Sequence, residues 1–237
     1  AASWGDFRDA LEDWAGPAVN VLYADTAGNI GYQLAGSVPV RAAGDDGALP
    51  VPVAGSSDAW RGVIPFDDLP HAFNPADGVI ITANQRPVPP AYDAALVESG
   101  AWKNAEPVVF TTWDGGARHD RIAELLAHRD DHTADTFAAI QGDVLSAQAR
   151  EILPVLLDLA PDDPALVELV DWLAEWDFKY SQTSPRAALF GAFLGRLSHY
   201  AYADELGTAP CDCAANYAAL IALLARPTHP WWDDVNT

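Results

Sequence analysis

The sequence predicts an α+β fold, with strands and long loops first and a mostly helical second half. Three observations predict it. Short β-branched runs bounded by turn residues fill the first third of the chain. Helical spacing of apolar side chains takes over after about residue 118. The chain has 237 residues, of which 50% are hydrophobic, enough to build one large core or two small ones. The expected division is a β-rich part over residues 1–117 and a mostly helical part over 118–237.

Taken in order, Val19-Asn-Val-Leu-Tyr-Ala24 reads as a strand, Asp25-Thr-Ala-Gly-Asn29 as turn chemistry and Ile30-Gly-Tyr-Gln-Leu34 as the returning strand. Residues 36–78 hold many of the prolines and glycines, which predicts ordered loops with short strands. Val79-Ile-Ile-Thr82 is a compact β-branched run expected as a buried strand, ended by Pro87, Pro89 and Pro90. Beyond residue 118, Ile122, Leu125 and Leu126 form a helical face, and Thr133 caps a helix carrying Asp135, Phe137 and Ile140. Asp163-Pro164 is an N-cap followed by proline at the first helical position, ahead of Leu166, Leu169, Val170 and Leu173. Ser184-Pro185 starts a helix with Leu189, Phe190, Phe193, Leu194 and Leu197 on one face and Gly207 at its end. A last helix is expected from about Ala214 to Ala225, stopped by Pro227.

Charge narrows the partners. Thirteen basic against 34 acidic residues give a net charge of -21. A surface this acidic repels phosphate, so nucleic acid and anionic membranes are excluded as expected partners. The acids are 26 Asp and 8 Glu, the bases 11 Arg and 2 Lys. Such a chain repels itself in dilute buffer and is relieved by salt, which predicts a salt-loving source; an acidic, GC-biased genome gives the same composition. Cys211 and Cys213 are too close for an easy disulfide and too few for a zinc site. The longest nearly apolar stretch, residues 214–225, is too short to span a bilayer.

The familiar catalytic motifs are missing: no phosphate loop, no dinucleotide-binding glycine triplet, no His-Glu-x-x-His and no Gly-x-Ser-x-Gly. His128 and His132 are four apart, but Arg129-Asp-Asp131 between them reads as a helix end, so solvated histidines are expected rather than a metal pair. His199 is expected to be packed or hydrogen-bonded. Nine tryptophans beside many aspartates raise a glycosidase as an alternative, with Asp114 as one acid; it requires a carboxylate pair about 5–10 Å apart. Trp172 and Trp176, four apart, are expected to face the core instead.

A series of short motifs then points to a family. Tyr23-Ala-Asp-Thr-Ala-Gly-Asn-Ile-Gly-Tyr32, Leu49-Pro-Val-Pro52, Trp60-Arg-Gly62, Ile64-Pro-Phe66, Asn74-Pro75 and Ile81-Thr-Ala-Asn-Gln-Arg-Pro87 occur in that order. Arg118 ahead of Arg121-Ile122, the helix near Thr133 and Pro230-Trp-Trp-Asp-Asp234 follow. This resembles an internal segment of the β-subunit of the penicillin acylase family, the N-terminal-nucleophile (Ntn) amidohydrolases. The resemblance implies that the strands are part of a four-layer αββα core. It implies hydrolysis of the amide of an N-acylated amine, such as a β-lactam antibiotic or an acyl-homoserine lactone. The nucleophile there is a Ser freed at a new N-terminus by self-cleavage, with its own α-amine as base. Asn84 stands where the family has an oxyanion donor, and Arg118 where it has an arginine beside the site; both are carried over as catalytic residues. Val19 stands where an apolar residue lines the acyl pocket.

Asp93 and the Gly47 carbonyl fall near positions that would give two oxygens to a structural calcium, which takes about six to eight. No organic cofactor is implied. The family's β-subunit starts far upstream of the hairpin, whereas 22 residues precede Tyr23 here and residue 1 is Ala. The nucleophile, the backbone oxyanion donor and the α-subunit are therefore expected outside this chain, which by itself is expected to be inactive. Its expected partners are the rest of the β-subunit, an α-subunit and a small acyl-amide substrate. Localisation is not set by the residues, and the family leans to export. The rival reading is a non-catalytic binding or scaffold module derived from the family.

Overall fold

Asp25 organises the first hairpin. Its carboxylate accepts hydrogen bonds from the Ala27 and Asn29 backbone N–H groups (both 2.9 Å), from Asn29 Nδ2 (2.8 Å) and from the Tyr23 hydroxyl (2.9 Å). These close the turn between β1 (Val19–Ala24) and β2 (Ile30–Ala35), which pair antiparallel from Val19↔Ala35 to Ala24↔Ile30. In this computed structural model the described residues are 2–45, 47–52, 55, 60–89, 91–98, 105–106, 115–158, 163–206 and 217–232. They fall into two units, Ala1–His119 and Asp120–Thr237.

In the first unit β5 (His71–Phe73) adds to β2, giving the sheet order β1-β2-β5. A second sheet pairs β3 (Pro39–Ala42) with β4 (Gly62–Val63) on one side and β6 (Ala105–Glu106) on the other. Alternation along β1 and β2 sorts the faces. Tyr32 and Leu34 look into a core of Val38, Val40, Ile64, Leu69 and Leu96, against which Ala72, Ile80 and Tyr92 pack. The opposite face lies under α1 (Trp4–Glu12), capped by the Ser3 side chain on the Asp6 N–H. Trp4 stacks on Phe73 at 5.2 Å, and Tyr23 lies 5.6 Å from Trp4 and 5.2 Å from Phe7. The ring of Trp4 sits so close to Gly31 that a Cβ there would come within 2.4 Å of it. Arg8 crosses the same face: it lies 5.1 Å over the Phe66 ring, and its Nε donates to the fully buried Gln33 amide oxygen at 2.9 Å. α2 (Ala91–Glu98) completes the described elements up to residue 106.

The second unit is helical. α3 (Ala117–Ala127), whose first three residues belong to the first unit, is followed by α4 (Ala134–Gln141) and α5 (Ala147–Leu157). α6 (Pro164–Ala174), α7 (Pro185–Leu206) and α8 (Tyr217–Leu224) come next. Side chains set the starts. Thr133 and Thr136 form a reciprocal capping box, Ser146 caps the Ala149 N–H, and Asp163 caps the Ala165 N–H with Pro164 behind it. The core gathers Ile152, Leu153, Trp176, Phe190, Tyr202 and Leu220. Arg121 ties two segments by donating to both oxygens of Asp143 (2.8 and 2.9 Å), while Glu124 takes Arg121 on one side and Arg150 on the other. The Arg150 and Arg121 guanidinium groups hold the Glu124 carboxyl down at about 2.

The structure departs from the sequence reading in several places. Residues 79–82 form no strand among the described residues, and Val79 is 38% exposed. A β-branched run becomes a strand only where a neighbour takes its backbone hydrogen bonds, and no described strand pairs with it. Phe193 is off the buried stripe of α7, which runs through Ala187, Phe190, Ala201 and Tyr202. Trp176 is buried as expected, but it lies beyond the end of α6, and Trp172 is half-buried with Arg186 4.9 Å over its ring. The helices α1, α2 and α5 and the strand β6 have no counterpart in the sequence reading. Gly207, Cys211, Cys213 and the start of the last expected helix lie outside the described residues. No helix among the described residues is long and apolar enough to cross a membrane.

The Asn29 side chain, more than any other group, holds the Asp25 carboxyl at about 2 against an ordinary 3.8. A depressed carboxyl stabilises the fold above its unfolded value and loses that contribution as pH falls through the folded one. Asp25→Asn therefore lowers the thermal midpoint at neutral pH. Followed by circular dichroism, the gap to the native protein narrows as pH falls from about 4 to about 2.

Candidate active site

The segment from Ile81 to Arg86 is irregular backbone held by side chains. Asn84 has a φ of +63°, in the left-handed region that asparagine tolerates better than most residues. Ala83 before it is buried. Its N–H donates to Gln85 Oε1 at 2.6 Å, and Gln85 Nε2 donates in turn to the Ile81 carbonyl at 2.7 Å. The Ala83 carbonyl accepts from Arg118 Nη2 at 2.9 Å, and the same Nη2 donates to Asn84 Oδ1. Arg118 reaches this turn from the first residues of α3.

The chemistry follows from the donor inventory. A guanidinium carries donors only, so the end of the Asn84 amide that faces it is the oxygen. The NH2 end is then turned away from Arg118, and it has no hydrogen-bond partner among the described residues. Asn84 itself is exposed. The result is a neutral N–H donor, fixed in direction and open to a ligand. That is what an oxygen gaining negative charge needs, because the donor is already aimed before the charge appears.

The other expected site residues are placed less tightly. Val19 is half-buried at the start of β1, paired with Ala35, and no hydrogen bond ties it to Asn84 or Arg118. Asp93, on α2, is ion-paired with Arg86, and its Oδ1 is buried without a hydrogen-bond partner. Gly47 occupies an exposed turn with a φ of +77°, its N–H donating to Asp45 Oδ1 at 3.0 Å. Among the described residues no group of three or more His, Cys, Asp or Glu is placed to hold a metal. Asp93 Oδ1 is thus an orphan side-chain oxygen beside a guanidinium, and the described residues show no carboxylate cluster around it.

A cavity of about 550 Å³ is walled by Tyr32, Leu69, His71, Pro87, Tyr92 and Leu96, among others, and includes none of Val19, Asn84 and Arg118. His128 and His132 each turn a ring nitrogen to a backbone carbonyl of α3, Glu124 at 2.6 Å and Leu126 at 3.0 Å, so they finish a helix instead of sharing a metal. His199 is exposed beside Tyr200. Asp114 lies outside the described residues. Sequence reasoning passed over Gln85, because nothing local marks a glutamine as a brace.

The family model for penicillin amidase matches residues 1–237, and the chain belongs to that family. It is 31% identical over 234 residues to the acyl-homoserine lactone acylase QuiP of Pseudomonas syringae pv. syringae, an alignment covering 92% of this chain and 27% of that protein. It is 33% identical over 171 residues to the penicillin G acylase of Escherichia coli, covering 67% of this chain and 18% of that protein. The thermostable penicillin G acylase of Alcaligenes faecalis has a similar fold, with a TM-score of 0.65 at 23% identity over 90% of this chain and 37% of that one. The chain thus spans about a quarter of the length of the curated relatives it matches.

Replacing Arg118 frees the Asn84 amide to rotate. In Arg118→Ala the Asn84 side-chain NH2 signals in a 15N NMR spectrum shift and broaden, whereas Arg129→Ala, on an exposed arginine paired only to Asp131, leaves them unchanged.

Proposed function

We propose that this chain is the oxyanion-donor segment of an amidohydrolase that cleaves the linear amide of an N-acylated amine. The observation that carries the reading is the Asn84 amide, its oxygen held by Arg118 and its NH2 left open. The nucleophile, an N-terminal Ser with its own α-amine as base, and a backbone N–H donor come from residues outside this chain. The Ser oxygen attacks the amide carbon, and the carbonyl oxygen takes up negative charge. Asn84 Nδ2 donates to that oxygen. The α-amine passes the proton it drew from the Ser hydroxyl to the leaving nitrogen, so collapse expels a neutral amine and leaves an acyl ester on the nucleophile, which water then hydrolyses to the acid and the free Ser. Arg118 acts through Asn84 and is a positioning residue. Val19 lines the acyl pocket, and the two small sheets belong to a larger αββα core. A calcium ion, on this reading, takes one oxygen from Asp93 and one from the Gly47 carbonyl, with the remainder supplied from elsewhere. The family match supports the reaction class, and the relatives named for acyl-homoserine lactones and penicillin support acylated amines as substrates.

The test is hydrolysis of a phenylacetyl anilide and of a long-chain acyl-homoserine lactone by the full gene product that contains this chain. Asn84→Ala lowers kcat by about 10²–10³-fold, the usual effect of removing one oxyanion donor. A variant that keeps the full rate overturns the reading. The 237-residue chain alone is expected to show no turnover.

The net charge of -21 also supports salt-dependent folding. The thermal midpoint of the chain rises between about 0.1 M and about 2 M NaCl, as screening shortens the reach of self-repulsion. A flat or falling midpoint removes the salt-loving reading.

A further inference from the structure

We infer that Gln85 is a positioning residue for the Asn84 donor: its side-chain amide, bridging the Ala83 N–H and the Ile81 carbonyl, holds the left-handed turn that aims Asn84. The inference rests on the reading of Asn84 as the oxyanion donor. Three facts carry it. Gln85 Oε1 accepts from the Ala83 N–H at 2.6 Å, and Gln85 Nε2 donates to the Ile81 carbonyl at 2.7 Å, so one planar amide closes the turn at two points. Arg118 takes the other side of the same residue, through the Ala83 carbonyl at 2.9 Å. Asn84, at a φ of +63°, follows directly.

Asparagine tolerates a positive φ without requiring it, so a single left-handed conformer here is selected by its surroundings. Here no strand ladder does so, because residues 79–86 belong to none. Arg118 fixes the Asn84 side chain but leaves the Ala83 N–H untouched, so it cannot set that torsion alone. Gln85 supplies the missing constraint. Glutamine suits the task because both halves are used: the oxygen takes a backbone donor and the nitrogen serves a backbone acceptor. Glutamate at this place would keep the first bond and lose the second.

The experiment compares the full gene product with its Gln85→Ala, Gln85→Glu and Asn84→Ala variants. It reads kcat and KM on the phenylacetyl anilide, thermal midpoints, and hydrogen exchange at the Ala83 amide. The expected result in Gln85→Ala is a fall in kcat of about 10-fold or more with KM within about 3-fold, the pattern of an interaction felt mainly in the transition state. Ala83 exchange speeds up in parallel. Gln85→Glu falls between the native protein and Gln85→Ala, and it carries the test should the alanine variant fail to fold. If Asn84→Ala is inactive while the folded Gln85 variants keep kcat within about 2-fold, the positioning role is overturned and the oxyanion reading stands. If Asn84→Ala keeps its rate, the oxyanion reading falls and takes this inference with it. If kcat, KM and the midpoint change together by similar proportions, Gln85 is only structural and the inference also falls.

Discussion

One residue, Ala83, is held on both sides of its Cα, directly before the proposed donor. Ala83 is gripped at its N–H by Gln85 and at its carbonyl by Arg118, and the next residue, Asn84, is left-handed. The grip comes from two very different distances along the chain. Gln85 is two residues away and acts as a local brace, while Arg118 arrives from 35 residues downstream at the start of a helix. A donor held by only one of them would keep a free torsion. Held by both, it would, on the proposed reading, need little reorganisation as charge develops opposite it. The rest of the first unit serves this turn at a distance. The Arg86–Asp93 ion pair fastens the segment just after it to α2, and α2 is sunk into the core through Leu96.

The first hairpin was legible in the sequence because all its determinants are local. Turn residues, alternation and β-branched strands fall within seventeen residues of one another, from Val19 to Ala35. Three helix starts were legible for the same reason, since Thr133, Asp163 and Ser184 act on N–H groups two or three residues ahead. Residues 79–82 misled because strand formation is a property of two segments, and the run carries information about only one. The candidate site divides along the same line. Asn84 and Arg118 were named through ordered family motifs, not through spacing, because no periodic pattern links residues 34 apart. Gln85 was passed over although it is adjacent: its hydrogen bonds depend on a backbone path that its neighbours' identities do not announce. Phe193 shows a milder failure. Over the 22 residues of α7 the buried stripe follows the packing of Phe190 and Tyr202, and an apolar side chain just off it remains 38% exposed.

The helical unit answers a different constraint, namely how to use few cations among many carboxylates. Arg121 engages both oxygens of Asp143 and still reaches Glu124, which Arg150 meets from its other side. Planar guanidinium groups allow this sharing; a lysine ammonium would act as a single point charge. The 11 Arg to 2 Lys ratio is thus matched by geometry where the network can be seen. Arg8 and Arg186 extend the economy further by covering aromatic rings while pairing with an acid.

These two kinds of force differ in range, and that separates stability from site geometry. Self-repulsion among 34 acidic side chains acts over many ångströms and shrinks as the Debye length falls from about 10 Å at 0.1 M salt to about 3 Å at 1 M. The bonds that aim Asn84 act at 2.6–2.9 Å between groups in direct contact, of which only the guanidinium is charged. Mobile ions do not fit between such partners, so screening barely reaches them. On the proposed reading, salt changes how firmly the scaffold is folded, while the direction of the donor is set by contacts that salt leaves alone. A chain with this charge can change its stability with its surroundings and still present the same amide to the same point in space.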